Sequence, residues 1–142
     1  MGEEKKIMNA EKNVEIVQNA YAAFSQGDMG ALFDCFADDI LWITPGNSAF
    51  AGERRGKGEV ADFFRMLDEQ WEILAFEPRE YLASGNRVVA LGRYDMRARS
   101  TGRAAASHWA MVWTVRDGKL TRFQEYTDTS TLEAVLVAAQ PA

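Results

Sequence analysis

Ala20–Asn47 reads AYAAFSQGDMGALFDCFADDILWITPGN, and these 28 residues hold a helix end, a second short helix and the entry to a strand. Val14, Val17, Tyr21 and Phe24 repeat at helical spacing up to Gly27, which stops the helix as a C-terminal glycine does. Asp28 is placed to cap the next helix, whose apolar stripe is Met29, Leu32, Phe33 and Phe36. Asp38-Asp39 break that pattern. Ile40, Trp42 and Thr44 then alternate as a strand that stops at Pro45-Gly46. Two helices folded back onto a strand with an inward Trp make one end of a pocket.

Outward from this stretch, Glu59–Trp71 predicts a third helix carrying Val60, Phe63, Phe64, Leu67 and Trp71 on one side. Residues 48–58, SAFAGERRGKG, read as a charged, Gly-rich loop. Their GERRGKG is one residue short of a phosphate loop and lacks its Ser or Thr. An extended stretch follows from Pro78 to Ala83. Strands are predicted over 87–99, 105–116 and 119–127, with turns at Ser84-Gly85-Asn86, Ser100-Thr101-Gly102 and Asp117-Gly118. Asp128 or Ser130 caps a last helix over 129–139. Helices segregated from an antiparallel meander make an α+β fold with a curved sheet of four to six strands. The strand HWAMVWTV is apolar on both faces, with Trp109, Met111, Trp113 and Val115 on one and Ala110 and Val112 on the other. An antiparallel strand with one wet face alternates instead, so a homodimer through the outer sheet face is expected.

Length bounds the chain to one domain, residues 1–142, with 1–10 read as a flexible N-terminal extension and Met8 as an alternative start. The 47% hydrophobic and 26% charged content is that of a globular protein with a single core. No apolar run approaches the ~18 residues a membrane span needs, and the charged N-terminus lacks the apolar stretch of a secretory signal. Cys35 is the one cysteine, which fits a reducing cytoplasm and reads as a small buried hydrophobe. A net charge of −5 disfavours nucleic acid, and Arg87, Arg93, Arg97, Arg99 and Arg103 around one hairpin read as a solvated face before an anion patch. One histidine, His108, and no acid–His cluster leave no plausible metal-ligand set, and no cofactor is expected. His108 shares a face with Ala110 and Val112 and reads as an interface or surface residue.

These elements in this order resemble the SnoaL-like branch of the nuclear transport factor 2-like superfamily, which holds ketosteroid isomerases, polyketide cyclases and limonene epoxide hydrolases. The residues that carry the resemblance are AYAAFSQGD (20–28), LFDCFADDILW (32–42), GKGEVADFF (56–64), VWTVRDGKLTRFQEYTD (112–128) and the TSTLEAVL helix. The resemblance implies a cystatin-like, cone-shaped sheet closed by helices over an apolar pocket. The superfold hosts enzymes, binders and assembly modules alike. Ketosteroid isomerases place a general base where this chain has Thr44, a tyrosine donor at Ala20 and a protonated carboxyl near Met111, so that mechanism does not transfer. Limonene epoxide hydrolases use an Arg-x-Asp on one strand and an acid on the last. Arg93-Tyr94-Asp95 and Glu125 match, while their water-positioning Tyr and Asn fall at Trp42 and Thr44.

The resemblance therefore implies Arg93, Asp95 and Glu125 as catalytic residues, two carboxyls held by one guanidinium. The alternative is a cross-strand ion pair at the sheet surface, since Arg93 and Asp95 share a face with Val89 and Leu91 while Tyr94 shares the other with Val88, Ala90 and Met96. The expected ligand-binding residues are Tyr21, Phe24, Trp42, Thr44, Phe64, Trp109, Met111 and Trp113, whose bulk suits a small hydrophobic molecule. Three functions stay open: a cofactor-free acid–base enzyme, a non-catalytic binder, and a dimerisation module with a vestigial pocket.

Overall fold

The computed structural model describes residues 2–137, without the side chains of 6–8. In chain order the elements are α1 (Gly2–Ser25), α2 (Met29–Asp34), β1 (Phe36–Thr44), β2 (Gly52–Arg55), α3 (Gly56–Gln70), β3 (Trp71–Ser84), β4 (Arg87–Ala98), β5 (Ala104–Arg116), β6 (Lys119–Thr127) and α4 (Thr129–Leu136). The fold is α+β, as the order of elements predicts. One six-stranded sheet runs β2-β1-β6-β5-β4-β3. Every pairing is antiparallel except β1 with β6, which is parallel. Among the described residues no helix is long and apolar enough to cross a membrane.

The local signals act as read. Gly27, at φ 72°, lets the chain leave α1, and the Asp28 carboxylate accepts from the Ala31 amide at 3.1 Å to cap α2. Asp117 and Gly118, at φ 52° and 76°, form the two-residue turn that joins β5 to β6. Asp128 rather than Ser130 caps α4, accepting from the Thr131 amide at 3.1 Å. α4 ends at Leu136, with Val137 already extended, short of the 129–139 expected; residues 138–139 lie outside the described residues.

Other boundaries also differ from the expectation, and α3 starts at Gly56 instead of Glu59. Phe36 opens β1 instead of ending α2, which stops at Asp34. The loop 48–58 contains β2, a four-residue edge strand; GERR has no apolar residue to announce it, and short charged edges of this kind resist pairing with other chains. The extended stretch starts at Trp71 instead of Pro78. Pro78 sits inside β3 because β3 is the other edge, and the register shifts between Pro78 and Glu80. Residues 2–10 continue α1 as helix, where an extension was expected.

The core lies between the concave face of the sheet and the helices. On β4 Val88, Ala90, Tyr94, Met96 and Ala98 are buried, and on β5 Trp109, Met111, Trp113 and Val115. Gly92 makes room for the Trp109 ring. A Cβ there would collide with that ring, meeting its Cη2 at 2.7 Å and the Glu77 carbonyl at 2.5 Å.

Candidate functional site

Inside the cone is a cavity of about 140 Å³. Its walls are aromatic because each element turns its apolar face inward. α1 contributes Ala20, Tyr21 and Phe24, and α3 contributes Phe63, Phe64 and Leu67. β1 places Trp42 flat on Phe123 of β6, with ring centroids 3.8 Å apart and 21° between planes, because the two residues are paired across the parallel ladder. Phe76, Trp71 and Ile73 of β3 and Leu132 and Leu136 of α4 complete the wall. Tyr21 reaches across it, donating to the Met111 Sδ at 3.2 Å and accepting from the Trp113 Nε1 at 2.9 Å. Burial pushes the Tyr21 phenol well above its ordinary value.

One side of this cavity is polar. Phe123, Glu125 and Thr127 alternate inward along β6, and Glu125 pairs across the ladder with Met111. The Glu125 carboxylate accepts from the Tyr94 hydroxyl at 3.1 Å, and that hydroxyl also lies 2.9 Å from the Thr127 Oγ1. Glu125 is half-buried and lines the cavity. Burial pushes its pKa up to about 7, against the opposing effect of the Tyr94 hydrogen bond. Tyr94 is itself driven far above its ordinary value by burial and by the neighbouring Glu125 charge. Ile43 pairs with Gln124, which brings the buried Thr44 beside Glu125 on the inner face. The Thr44 hydroxyl is occupied: it donates to the Phe50 carbonyl and accepts from Arg54 at 3.3 Å.

A strap crosses one edge of the cavity. The loop between β1 and β2 brings Pro45, Ser48 and Phe50 to the cavity wall. Glu133 of α4 accepts from the Asn47 and Ser48 amides at 2.6 and 3.1 Å. From the opposite side Arg54 donates to the Ala49 and Phe50 carbonyls, both at 3.0 Å, and lies 5.0 Å over the Phe63 ring.

Of the residues expected from sequence, Tyr21, Phe24, Trp42, Thr44, Phe64, Met111 and Trp113 line this cavity, and so does Glu125. Trp109 does not. It is packed behind the wall, stacked on Phe76 at 5.3 Å. Arg93 and Asp95 are the main correction. They point to the outer face of β4, opposite Tyr94 and Met96, and pair with each other at 2.9 Å while about a third exposed (31% and 33%). The triad with Glu125 is not assembled, and the surface ion-pair alternative describes Arg93 and Asp95 as they stand. His108 pairs with Arg93 across the ladder on that outer face and is exposed. Sequence reading passed over Tyr94 and Thr127 as site residues. Tyr94 shares parity with Val88, Ala90 and Met96, the more apolar face of β4, and Thr127 is two residues from Glu125. Both were signals. Among the described residues no cluster of three or more His, Cys, Asp or Glu is placed to hold a metal ion.

Comparison with known proteins gives a match to the SnoaL-like domain over residues 17–123. An NTF2-like protein from Burkholderia xenovorans LB400 superposes with a TM-score of 0.83 at 36% identity, over 90% of this chain and 98% of that one. TerC, co-crystallized with polyporic acid, superposes with a TM-score of 0.80 at 26% identity, over 88% and 98%. An uncharacterized protein of Mycobacterium tuberculosis strain H37Rv is 28% identical over 128 residues, covering 89% of this chain and 98% of that protein.

Proposed function

We propose that this chain, which belongs to the SnoaL-like domain family, holds a small, neutral, largely apolar molecule in its cone and moves a proton on it with Glu125. The observation that carries this is the Glu125 carboxyl, hydrogen-bonded to Tyr94 on the polar side of a mainly aromatic cavity, with a pKa pushed up to about 7. A group poised near the working pH both takes and returns a proton. Burial sets that poise, against the lowering effect of the Tyr94 hydrogen bond.

The cavity constrains the ligand. An apolar cavity of about 150 Å³ accommodates benzene, so about 140 Å³ suits a single ring or a branched chain of similar size. Among the described residues no Lys or Arg lines it, so no cation is there to hold an anion. The likeness to TerC, crystallised with polyporic acid, supports a small-molecule role for this cavity.

One acid favours some reactions over others. Isomerisation or ring closure needs one group that removes a proton and gives it back. Epoxide hydration needs a base on water and an acid on the leaving oxygen together; Asp95 is outside the cavity, and the Glu133 carboxylate is held by the Asn47 and Ser48 amides. The reading is therefore an isomerase- or cyclase-type activity without a cofactor. The second reading, a carrier that binds without reaction, rests on the same wall and on the other carboxyl in the lining, Glu133, being tied up by the Asn47 and Ser48 amides.

The test is Glu125→Gln against a panel of single-ring ketones and unsaturated lactones. Binding is read from Trp fluorescence and turnover from loss of substrate. Turnover is expected to fall roughly 10²–10⁴-fold with binding kept. Turnover by the variant at the wild-type rate refutes the role of Glu125. Binding with no turnover by wild-type protein supports the carrier. We also propose a homodimer through the outer sheet face. Leu82, Val89 and Val112 form one apolar row across three strands there, and Leu91, Ala110 and Tyr126 a second. Leu82 and Tyr126 are each more than half exposed in the single chain. A monomer in sedimentation at micromolar concentration refutes that assembly.

A further inference from the structure

Tyr94 has one hydroxyl proton and two acceptors, the Glu125 Oε2 at 3.1 Å and the Thr127 Oγ1 at 2.9 Å. Thr127 has its own outlets. Its hydroxyl lies 3.0 Å from the Ser107 Oγ and donates to the His108 carbonyl at 3.2 Å. Ser107 is buried and accepts from the Asp128 amide at 3.1 Å. The group is anchored at both ends, so hydroxyl protons turn while the heavy atoms stay.

We propose that Thr127 is a positioning residue for Glu125: it is the alternative acceptor that lets the Tyr94 hydroxyl turn away when the Glu125 carboxyl gains a proton. This rests on the acid–base reading of Glu125 and deepens it, naming what adjusts that group's proton affinity. In the ionised state the Tyr94 O–H points to Glu125 and the Thr127 O–H to the His108 carbonyl. When Glu125 takes up a proton, Tyr94 rotates its own to the Thr127 Oγ1. Thr127 keeps its bond to His108. Only the Glu125 O–H bond is made or broken, and no other proton enters or leaves.

The groups able to perturb this arrangement are few. Tyr21 comes from α1, Tyr94 from β4 and Glu133 from α4. α2 and α3, with β3 and β5, present no titratable side chain to the cavity, only apolar groups, the indoles of Trp71 and Trp113 and the Met111 sulfur. From β1 comes the Thr44 hydroxyl, with Arg54 of β2 bonded to it. Each of these stays in place when the Thr127 hydroxyl is removed.

Without that hydroxyl, the protonated state loses a hydrogen bond that the ionised state keeps. The carboxyl then ionises more readily. One neutral hydrogen bond corresponds to a fall of about half a unit to one unit in its pKa. The experiment is a ¹³C NMR titration of the Glu125 carboxyl in ligand-free protein, for wild type, Thr127→Val, Thr127→Ala, Thr127→Ser and Tyr94→Phe. The Val and Ala variants are expected to titrate lower by that amount, Ser at the wild-type value, and Tyr94→Phe higher. Adding Thr127→Val to Tyr94→Phe is expected to change nothing further, since Tyr94 is the intermediary. Thr127→Ala serves where the Val variant misfolds. A wild-type value near 7 with Val and Ala unmoved, or an equal fall in the Tyr94→Phe background, overturns the assignment of Thr127. A wild-type value in the ordinary carboxyl range overturns the acid–base reading itself.

Discussion

Replacing Glu125 by glutamine makes the folded protein indifferent to a pH change that weakens the wild type. The unfolded chain holds this carboxyl near its ordinary value of 4.5, and the folded protein holds it at about 7. Between those values the unfolded state has released a proton that the folded state keeps. Stability from the neutral, buried carboxyl is therefore whole below pH 4.5 and is lost as pH rises through 7. At 1.36 kcal/mol per pH unit, the gap amounts to at most about 3 kcal/mol by pH 8. The glutamine side chain fills nearly the same volume, still faces Tyr94 and cannot ionise. Urea unfolding of both proteins, followed by Trp fluorescence at half-unit steps from pH 5 to 8.5, reads the difference. The two are expected to agree within about 1 kcal/mol at pH 5, and the variant to be the more stable by about 2–3 kcal/mol at pH 8. Parallel profiles across the whole range refute the claim that this carboxyl is desolvated.

Gly92→Ala is expected to destabilise by about 2–3 kcal/mol, because its Cβ meets the Trp109 ring and the Glu77 carbonyl, both held by strand pairing; urea unfolding with near-UV dichroism checks it. Asp95→Asn is expected to leave ligand affinity and any turnover unchanged and to cost less than about 1 kcal/mol, since its pair with Arg93 is on the outer face; fluorescence titration and urea unfolding measure both. Glu133→Ala is expected to speed hydrogen exchange at the Asn47 and Ser48 amides about tenfold, because it removes their shared acceptor; exchange NMR reads each amide separately.

Where one residue's chemistry fixed a boundary, the sequence was readable: the cap at Asp28, the turn at Asp117-Gly118, the meander between them. β2 was not, because GERR takes its strand identity from pairing with β1 and not from any apolar pattern of its own. Pro78 misled for the converse reason, since an edge strand tolerates the missing N–H. For the site, the aromatic wall was legible because large apolar residues have nowhere else to go. The error at Arg93 and Asp95 was one of parity. A strand's two faces differ by one residue, and a charge pair beside Val89 and Leu91 looks the same from sequence whether that face lines a cavity or lies outside. The more apolar set, with Tyr94, is the inner one. Resemblance to a hydrolase pattern outweighed that signal. Glu125 survived because its neighbour Phe123 fixes its face.

The parallel pairing of β1 with β6 also dictates an order of assembly. Leu41 pairs with Arg122, so more than half of the chain lies between the two halves of the cavity floor. β3 to β6 form a meander in which each strand meets the next within a short turn. The β1–β2 hairpin has no further strand to pair with until β6 has left the ribosome. Contacts this distant in sequence form late and slow folding. The pocket is thus the last part of the protein to exist during synthesis. A chain released before Lys119 carries Trp42 and Thr44 on a hairpin with one edge open, the kind of surface that recruits chaperones or aggregates.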